Sequence, residues 1–416
     1  MSDSPEAIEQ SVNTWLDDNW DPNLSLKEWR TRLVDGGWST TQWPSEFFGR
    51  GFTTEQAAVV TRVFNARGIV PVAQSGPRRL AAETILSMGN HDQKSRYLRP
   101  ILTGEHSWCQ LFSEPGSGSD LAGLSTKAEL KDGRWIINGQ KVWNTSAHHA
   151  DYGLLVARTD FDIPKHQGIS YFLIDMRQPG VEVRQLQQMN GYASFNEVFM
   201  TDAEVAVEDL IGGEGNGWSV AKTTLSYERR MGGVSRSLVQ SDQLSEGRVY
   251  DEYREEMRVA NEPYVWYPQR QGRVDLVLPR ATVTGAIKDP AVRQEIAKLV
   301  SMQRGAALAL AAAEAHRKSG SNEIVPAGSI GKLAASFVAR QASHVHTMIS
   351  GADAMRAGTD SAEEGMVAEV LVSVPAISIA GGTDEIQRNI IAERVLGMPS
   401  EMRADTGSFR DIKRNA

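Results

Sequence analysis

The apolar period changes twice along this 416-residue chain, and that limits the folds open to it. Residues 1–106 carry helical spacing broken by turns. Trp29, Leu33 and Gly36 precede a Gly-Trp-Ser turn, and Thr53 or Thr54 is placed to cap a helix. Further helices run through Leu80, Thr84, Ile85 and Met88 and from Asp92 to Leu98. Residues 107–212 switch to short runs that alternate or stay apolar, at 135–139, 153–157, 168–175, 181–184 and 196–200. Short strands with turns between them predict a small β barrel or sandwich. From 213 to 416 the long helical runs return, at 289–316, 329–348, 363–377 and 383–396, in the manner of a bundle. Residues 245–288 interrupt them. They are highly charged, then aromatic and proline-broken, and read as a loop or lid. The expectation is an α+β chain: an N-terminal helical domain over 1–106, a middle β domain over 107–212 and a C-terminal helical bundle over 213–416.

Composition removes several classes of function. With 44 Lys+Arg against 52 Asp+Glu the net charge is −8, which argues against a general nucleic-acid or anionic-membrane surface. The single cysteine, Cys109, permits no intrachain disulfide and no cysteine-rich zinc site, and it suits a reducing cytoplasm. Beside a glycine-rich loop it is expected to be a small buried hydrophobe. The opening MSDSPEAIEQ is not a secretory signal. The apolar stretch 305–314 is far shorter than the roughly 20 residues of a membrane span. A soluble cytoplasmic protein without membrane insertion is expected. The pairs His148-His149 and His344/His346 lack a third convergent ligand, so no metal site is expected, and the second pair is placed at a surface or interface.

Three segments are candidates for chemistry. Phe112-Ser-Glu-Pro-Gly-Ser-Gly-Ser-Asp120-Leu-Ala-Gly123 is glycine- and serine-rich and enters the β zone. Its backbone can approach a phosphate or a ring carbonyl closely, though a simple serine-glycine turn has the same composition. Lys141-Val-Trp-Asn-Thr-Ser146 follows a strand, and its tryptophan suits either a core or a site. Ala380-Gly-Gly-Thr-Asp-Glu-Ile-Gln-Arg388 places two glycines before a threonine cap and an acidic first turn, which by itself is only a helix start.

Together, in this order and spacing, the three resemble the acyl-CoA dehydrogenase family, and the resemblance covers nearly the whole chain. It extends to Trp43-Pro44 with Gly49-Arg-Gly51, Phe195-Asn-Glu-Val-Phe199 with Gly212-Gly-Glu-Gly-Asn-Gly-Trp218, and Ile390-Ile-Ala-Glu-Arg-Val-Leu-Gly397. The look is that of the actinobacterial branch. The resemblance implies a helical domain, a β-barrel domain and a C-terminal four-helix bundle, with FAD between the last two and a neighbouring subunit at its adenine end. It implies that Ser113 bonds the flavin pyrimidine ring, that Trp143 lies beside the isoalloxazine, and that Thr145 lies near flavin N5. Ser119 matches a residue near the pyrophosphate or the substrate entrance, and Thr383 and Glu385 match FAD contacts. The implied reaction is α,β-dehydrogenation of an acyl-CoA to the trans-2-enoyl-CoA, with electrons passed to an electron-transfer flavoprotein.

That chemistry needs a positioned carboxylate for the α-proton while hydride leaves for the flavin, and donors where enolate charge develops. Bound acyl chain desolvates the base and raises its pKa towards the substrate's. Many members carry the base just before Gly-Thr in the third segment, where this chain has Gly381. Glycine offers only its N–H to the thioester oxygen. A minority, including the isovaleryl type, carry the base on the first long helix of the C-terminal domain. The matching stretch is Ser226-Tyr-Glu228-Arg-Arg-Met-Gly-Gly233, which makes Glu228 the candidate base and Arg229 its substrate-side neighbour. A helix carboxylate paired with arginine is the plainer reading of Glu228. The family's Arg-x-x-Phe-Gly stretch is missing from 249–288, and its glutamine- and glycine-rich loop is reduced to Ser350-Gly-Ala-Asp353. Such losses are typical of chains from α2β2 heterotetramers, so the expected assembly is a homo- or heterotetramer. The alternatives are a catalytically incomplete partner subunit and a related flavin monooxygenase. The rebuilt 249–288 region hints at a branched or polycyclic acyl group such as a steroid side chain.

Overall fold

The computed structural model describes residues 4–72, 76–233, 246–318, 327–402 and 405–412. They form two compact units. The first contains residues 1–186, 194–263 and 405–416, and the second contains 187–193 and 264–404.

The first unit opens with α1 (Pro5–Asn19), α2 (Leu26–Asp35), α3 (Thr54–Ala66), α4 (Gly76–Met88) and α5 (His91–Thr103). Their starts are locally encoded. Ser25, Thr53 and Asn90 each cap a helix and pair with Glu28, Gln56 and Gln93 three residues on, so two orphan donors are satisfied at each end.

Eight strands follow: β1 (Trp108–Leu111), β2 (Lys127–Lys131), β3 (Arg134–Lys141), β4 (Tyr152–Arg158), β5 (Ile169–Asp175), β6 (Val181–Leu186), β7 (Phe195–Ala206) and β8 (Leu210–Ile211). They make one mixed sheet in the order β6-β7-β3-β2-β4-β5-β8, with β1 parallel to β4. The hydrogen-bonded path runs from β6 to β8, and this mixed sheet is the β part of the expected α+β chain. β4 and β5 read as unbroken apolar runs because both faces of the sheet are covered. Leu154, Val156 and Tyr171 enter a core shared with α4 and α5, whereas Leu155, Ala157 and Phe172 enter a second core under β3 and β7. Residues 1–106 and the sheet therefore share one core across the expected boundary at 106.

Two further helices join this unit, α6 (Gly217–Gly233) and α7 (Arg248–Asn261). At Gly217 a Cβ would stand 2.4 Å from the carbonyl carbon of Ser170, so only glycine lets α6 start this close to β5. α7 corrects the loop reading of 245–288. Its charges serve packing: Glu256 binds Arg30 of α2 at 3.0 and 2.5 Å and Arg78 of α4 at 2.6 Å.

The second unit holds α8 (Tyr267–Arg270), α9 (Val274–Val283), α10 (Pro290–Lys318), α11 (Ala327–Ser350), α12 (Met366–Ser373), α13 (Pro375–Ile379) and α14 (Asp384–Arg394). One core gathers Val277, Ile296, Leu299 and Val345, and another gathers Ala339, Val367 and Val370. His346, expected at a surface or interface, is instead fully buried within the second unit. Its Nδ1 accepts from Arg280 at 2.7 Å and its Nε2 faces the Arg273 carbonyl at 3.1 Å. His344 is exposed. The stretch Glu363–Arg394 is apolar and long enough by composition to cross a membrane, but it is divided among α12, α13 and α14 by Pro375 and the Gly381-Gly382 turn.

Candidate active site

In the first unit, the 112–123 loop and the 142–146 turn are one construction. Val142 N–H donates to the Ser113 carbonyl at 2.9 Å, so the two segments picked out from sequence abut. Beneath them Lys141 and Glu114 form a buried ion pair of 2.8 Å. Lys141 also donates to the Phe112 carbonyl at 3.0 Å, and Glu114 accepts from the N–H groups of Ser125 and Thr126 at 2.6 and 2.8 Å. Burial alone would push the Glu114 carboxyl up. The Lys141 charge and these hydrogen bonds outweigh it and hold Glu114 below the ordinary glutamate value. Neither residue was assigned a role from sequence, since they stand 27 positions apart and only the fold pairs them.

The turn itself displays Trp143. Its φ is +64°, a left-handed backbone that a bulky residue adopts only where surroundings impose it. Asn144 supplies part of that constraint. It exchanges backbone hydrogen bonds with Asn196 at 3.1 and 3.0 Å, and its Nδ2 donates to the Gln110 carbonyl at 2.8 Å. The result is an indole that is 57% exposed and rests edge-on against Phe195 at 5.6 Å. The hydroxyls of Ser113, Ser119 and Thr145 have no hydrogen-bond partner among the described residues. Among the described residues, Asn144 Oδ1 is buried without a hydrogen-bond partner. His148 is tied to Asn196 Oδ1 at 2.9 Å, and Cys109 is fully buried, with its thiol pKa pushed up by burial.

Glu228 lies half-buried on α6. One turn earlier, Thr224 is fully buried and meets both the Tyr171 hydroxyl at 3.1 Å and Thr84 at 3.0 Å. Tyr171 in turn packs edge-on against Phe112, ring centroids 5.9 Å apart. A continuous set of contacts thus joins the base of the Ser113 loop to the Glu228 helix. Residues four apart share a helix face, so Glu228 continues the face that Thr224 begins. The Arg229 side chain lies outside the described residues.

The third segment lies in the second unit. Thr383 caps α14, accepting from Ile386 N–H at 3.3 Å, and its own hydroxyl hydrogen is left to donate. Glu385 is exposed and reaches Arg388 at 3.2 Å. Gly381 and Gly382 have φ of +70° and +84°, and Gln387 Nε2 donates to both carbonyls at 3.2 Å. A Cβ at Gly381 would meet nothing within 4 Å, so this exposed position has room for a side chain but holds a backbone that disfavours one. Asp384, between them, was missed from sequence. It is buried against Lys332 at 2.8 Å and Arg340 at 3.2 Å, and so anchors the turn.

An exposed aromatic plate flanked by uncommitted hydroxyls and glycine-rich backbone suits a planar, hydrogen-bonding heterocycle that carries phosphates. The donor set of the first unit therefore fits FAD.

Comparison with known proteins agrees. Models of the acyl-CoA dehydrogenase N-terminal, middle and C-terminal domains match residues 5–105, 109–203 and 275–396. The acyl-CoA dehydrogenase IpdE1 of Mycobacterium tuberculosis is 32% identical over 90% of this chain and 88% of its own. The acyl-CoA dehydrogenase FadE34 of the same organism is 46% identical, over 47% of this chain and 27% of its own. Among solved structures, the Tcur3481-Tcur3483 steroid ACAD superposes with a TM-score of 0.63 at 21% identity, over 96% of this chain and 100% of that one. The ChsE4-ChsE5 complex from Mycobacterium tuberculosis does so with a TM-score of 0.62 at 22% identity, over 97% and 100%. With its three domain models matched and a relative aligned along most of both chains, the chain belongs to the acyl-CoA dehydrogenase family.

Proposed function

We propose that this protein is an FAD-dependent acyl-CoA dehydrogenase that converts an acyl-CoA to its trans-2-enoyl-CoA and passes the electrons to an electron-transfer flavoprotein. The observation that carries the reading is the Ser113 loop and Trp143 turn, built as one piece and linked through Phe112, Tyr171 and Thr224 to the helix of Glu228. When bound, FAD supplies the hydride acceptor. Ser113 and Thr145 would hold its ring by hydrogen bonds, Trp143 would lie beside it, and Ser119, Thr383 and Glu385 would serve the rest of the cofactor. Glu228 takes the α-proton. The Gly381 N–H donates to the thioester oxygen where enolate charge develops, and Arg229 assists at the substrate side.

The setting is the cytoplasm, and the assembly is a tetramer, with a related chain as partner. Two supports favour a heterotetramer: the sequence lacks the family's Arg-x-x-Phe-Gly stretch, and similar folds occur in the ChsE4-ChsE5 and Tcur3481-Tcur3483 pairs. The steroid title of the latter supports a polycyclic or branched acyl group. The glycine at 381 favours one second reading, a partner subunit that completes an FAD site without supplying the base.

The test is anaerobic titration of the purified protein, alone and with co-expressed neighbouring chains, against a panel of acyl-CoAs. A yellow protein bleached by one acyl class is expected. A colourless folded complex would overturn the reading, oxygen consumption by the reduced protein would favour the monooxygenase, and a yellow complex bleached only through the partner's carboxylate would favour the second reading.

A further inference from the structure

Residues 405–412 belong to the first unit, and Phe409 and Arg410 lie along the loop between β4 and β5. Phe409 N–H donates to the Ile163 carbonyl at 3.0 Å and Arg410 N–H to that of Phe161 at 2.9 Å, while Arg410 forks onto Asp162 at 2.6 and 3.2 Å. Phe409 is 2% exposed, and its ring lies 3.4 Å from the guanidinium of Arg158. Arg158 is itself fully buried. It donates to three carbonyls: Leu124 at 3.1 Å, Ala122 at 2.6 Å and Lys165 at 3.0 Å. Lys165 is also buried, and its ammonium binds both carboxylate oxygens of Asp120 at 2.7 Å and, on another side, Asp405.

Two buried cations thus stand between the C-terminal segment and the closing half of the glycine-serine loop. Arg158 gathers the carbonyls of 122 and 124, and Lys165 holds Asp120. The C-terminal segment covers the outer side of both: Phe409 closes over the guanidinium, and Asp405 supplies the second anion to the ammonium. Without the ring, water reaches Arg158 and competes for its carbonyl partners. Without Asp405, Lys165 keeps only one anion to offset its desolvation. A Cβ at Gly116 or Gly118 would meet nothing within 4 Å, so these two positions face open space. The loop is held inside by Ser117, which exchanges backbone hydrogen bonds with Glu114 at 3.0 Å and donates its hydroxyl to the Asp120 carbonyl at 2.5 Å, and at its two ends by Glu114 on Lys141 and Asp120 on Lys165.

We infer that residues 405–412 are a positioning strap for the cofactor loop, acting through Phe409 on Arg158 and through Asp405 on Lys165. The inference rests on the flavin reading only for the identity of the ligand. Lys165 and Phe409 are positioning residues: they set the loop that meets the cofactor.

The test compares full-length parent, Phe409→Ala, Lys165→Met and Phe409→Tyr, with Val12→Ala in the N-terminal helical core as a control for lost stability. Two quantities are read: amide hydrogen exchange over 116–124 in cofactor-free protein, and the FAD dissociation constant from flavin fluorescence. Phe409→Ala and Lys165→Met should each speed exchange in 116–124 and raise the dissociation constant about tenfold, the change that 1.4 kcal/mol produces. Phe409→Tyr and Val12→Ala should match the parent in both. Unchanged exchange and affinity in folded Phe409→Ala and Lys165→Met would overturn the strap. Should Phe409→Ala not fold, Asp405→Asn, which removes only one charge from Lys165, decides by the same two readings. If the parent takes no FAD, the flavin reading fails, and the exchange comparison alone decides the strap.

Discussion

Lys141 and Glu114 are sealed against each other 2.8 Å apart, the lysine fully buried and the glutamate 8% exposed, directly beneath the loop and turn that carry the candidate cofactor residues. Removing one member of such a pair strands a buried charge, at a cost of about 3–5 kcal/mol. Lys141→Met should therefore lower the urea midpoint sharply, and Glu114→Gln should do the same. The double variant Glu114→Gln/Lys141→Met should recover part of the loss, because it leaves no uncompensated charge. Additive losses in the double-mutant cycle would show that the pair is not coupled.

Acid sensitivity follows from the same pair and from Glu256. Burial would push the Glu256 carboxyl up, but hydrogen bonds and charge from Arg30, then the Arg78 charge, hold it below its ordinary value, as Lys141 does for Glu114. A carboxyl whose folded pKa is depressed stabilises the fold above its unfolded pKa of about 4.3, and that stability disappears as pH falls through the folded pKa. Between pH 7 and 5 these two groups should contribute a constant amount. Below about pH 4 the unfolding midpoint should fall steeply. Glu256→Gln, destabilised at neutral pH, should show a shallower acid slope than the parent. Equal slopes would remove Glu256 from the cause.

Trp143 offers a separation of folding from binding. Its φ of +64° is comfortable for glycine, and its ring is 57% exposed, so the fold gains little from the side chain. Relief of a left-handed backbone, of order 1 kcal/mol, offsets the modest packing lost against Phe195. Trp143→Gly should melt within a few degrees of the parent yet bind flavin at least about tenfold more weakly, the change that 1.4 kcal/mol produces. A large fall in melting temperature with flavin affinity intact would mean the ring is structural.

What the sequence disclosed is what it encodes locally. The helix start at Thr53 lies three residues from its partner Gln56, and the Ser113, Trp143 and Thr383 segments are contiguous motifs. The strands were legible as apolar runs, but their order in the sheet was not, because pairing joins strands that are distant in sequence. Residues 245–288 were misread because prolines break the helical pattern. Pro268 sits in the first turn of α8, where its missing N–H costs nothing, and Pro279 is tolerated inside α9. The charges of α7 resembled a solvated stretch until Arg30 and Arg78, over 170 residues earlier, supplied partners for Glu256. His346 was misplaced for the same reason, since Arg280 and the Arg273 carbonyl satisfy it inside the second unit. Residues 405–412 followed the bundle in sequence and were counted with it, yet they pack with the sheet.

Glu228 carries the sharpest prediction. Proton abstraction needs a carboxylate at the substrate α-carbon, and Gly381, where many relatives place it, has no side chain. Glu228 is half-buried one turn beyond Thr224, whose hydroxyl contacts Tyr171 and Thr84 fix the helix register. Loss of a general base typically lowers a rate about 10²–10⁴-fold. Glu228→Gln keeps the shape and removes the charge. The variant should fold, take up FAD as the parent does and still bind acyl-CoA, while reduction of its flavin in anaerobic stopped flow slows by that factor. Because the side chain is half-buried at the surface of α6, its melting temperature should stay near the parent's, which separates a chemical defect from a folding one. Glu228→Asp, with the carboxylate withdrawn by one methylene, should lie between the two in rate. Reduction at the parent rate in Glu228→Gln would exclude Glu228 as the base and assign proton abstraction to a partner chain.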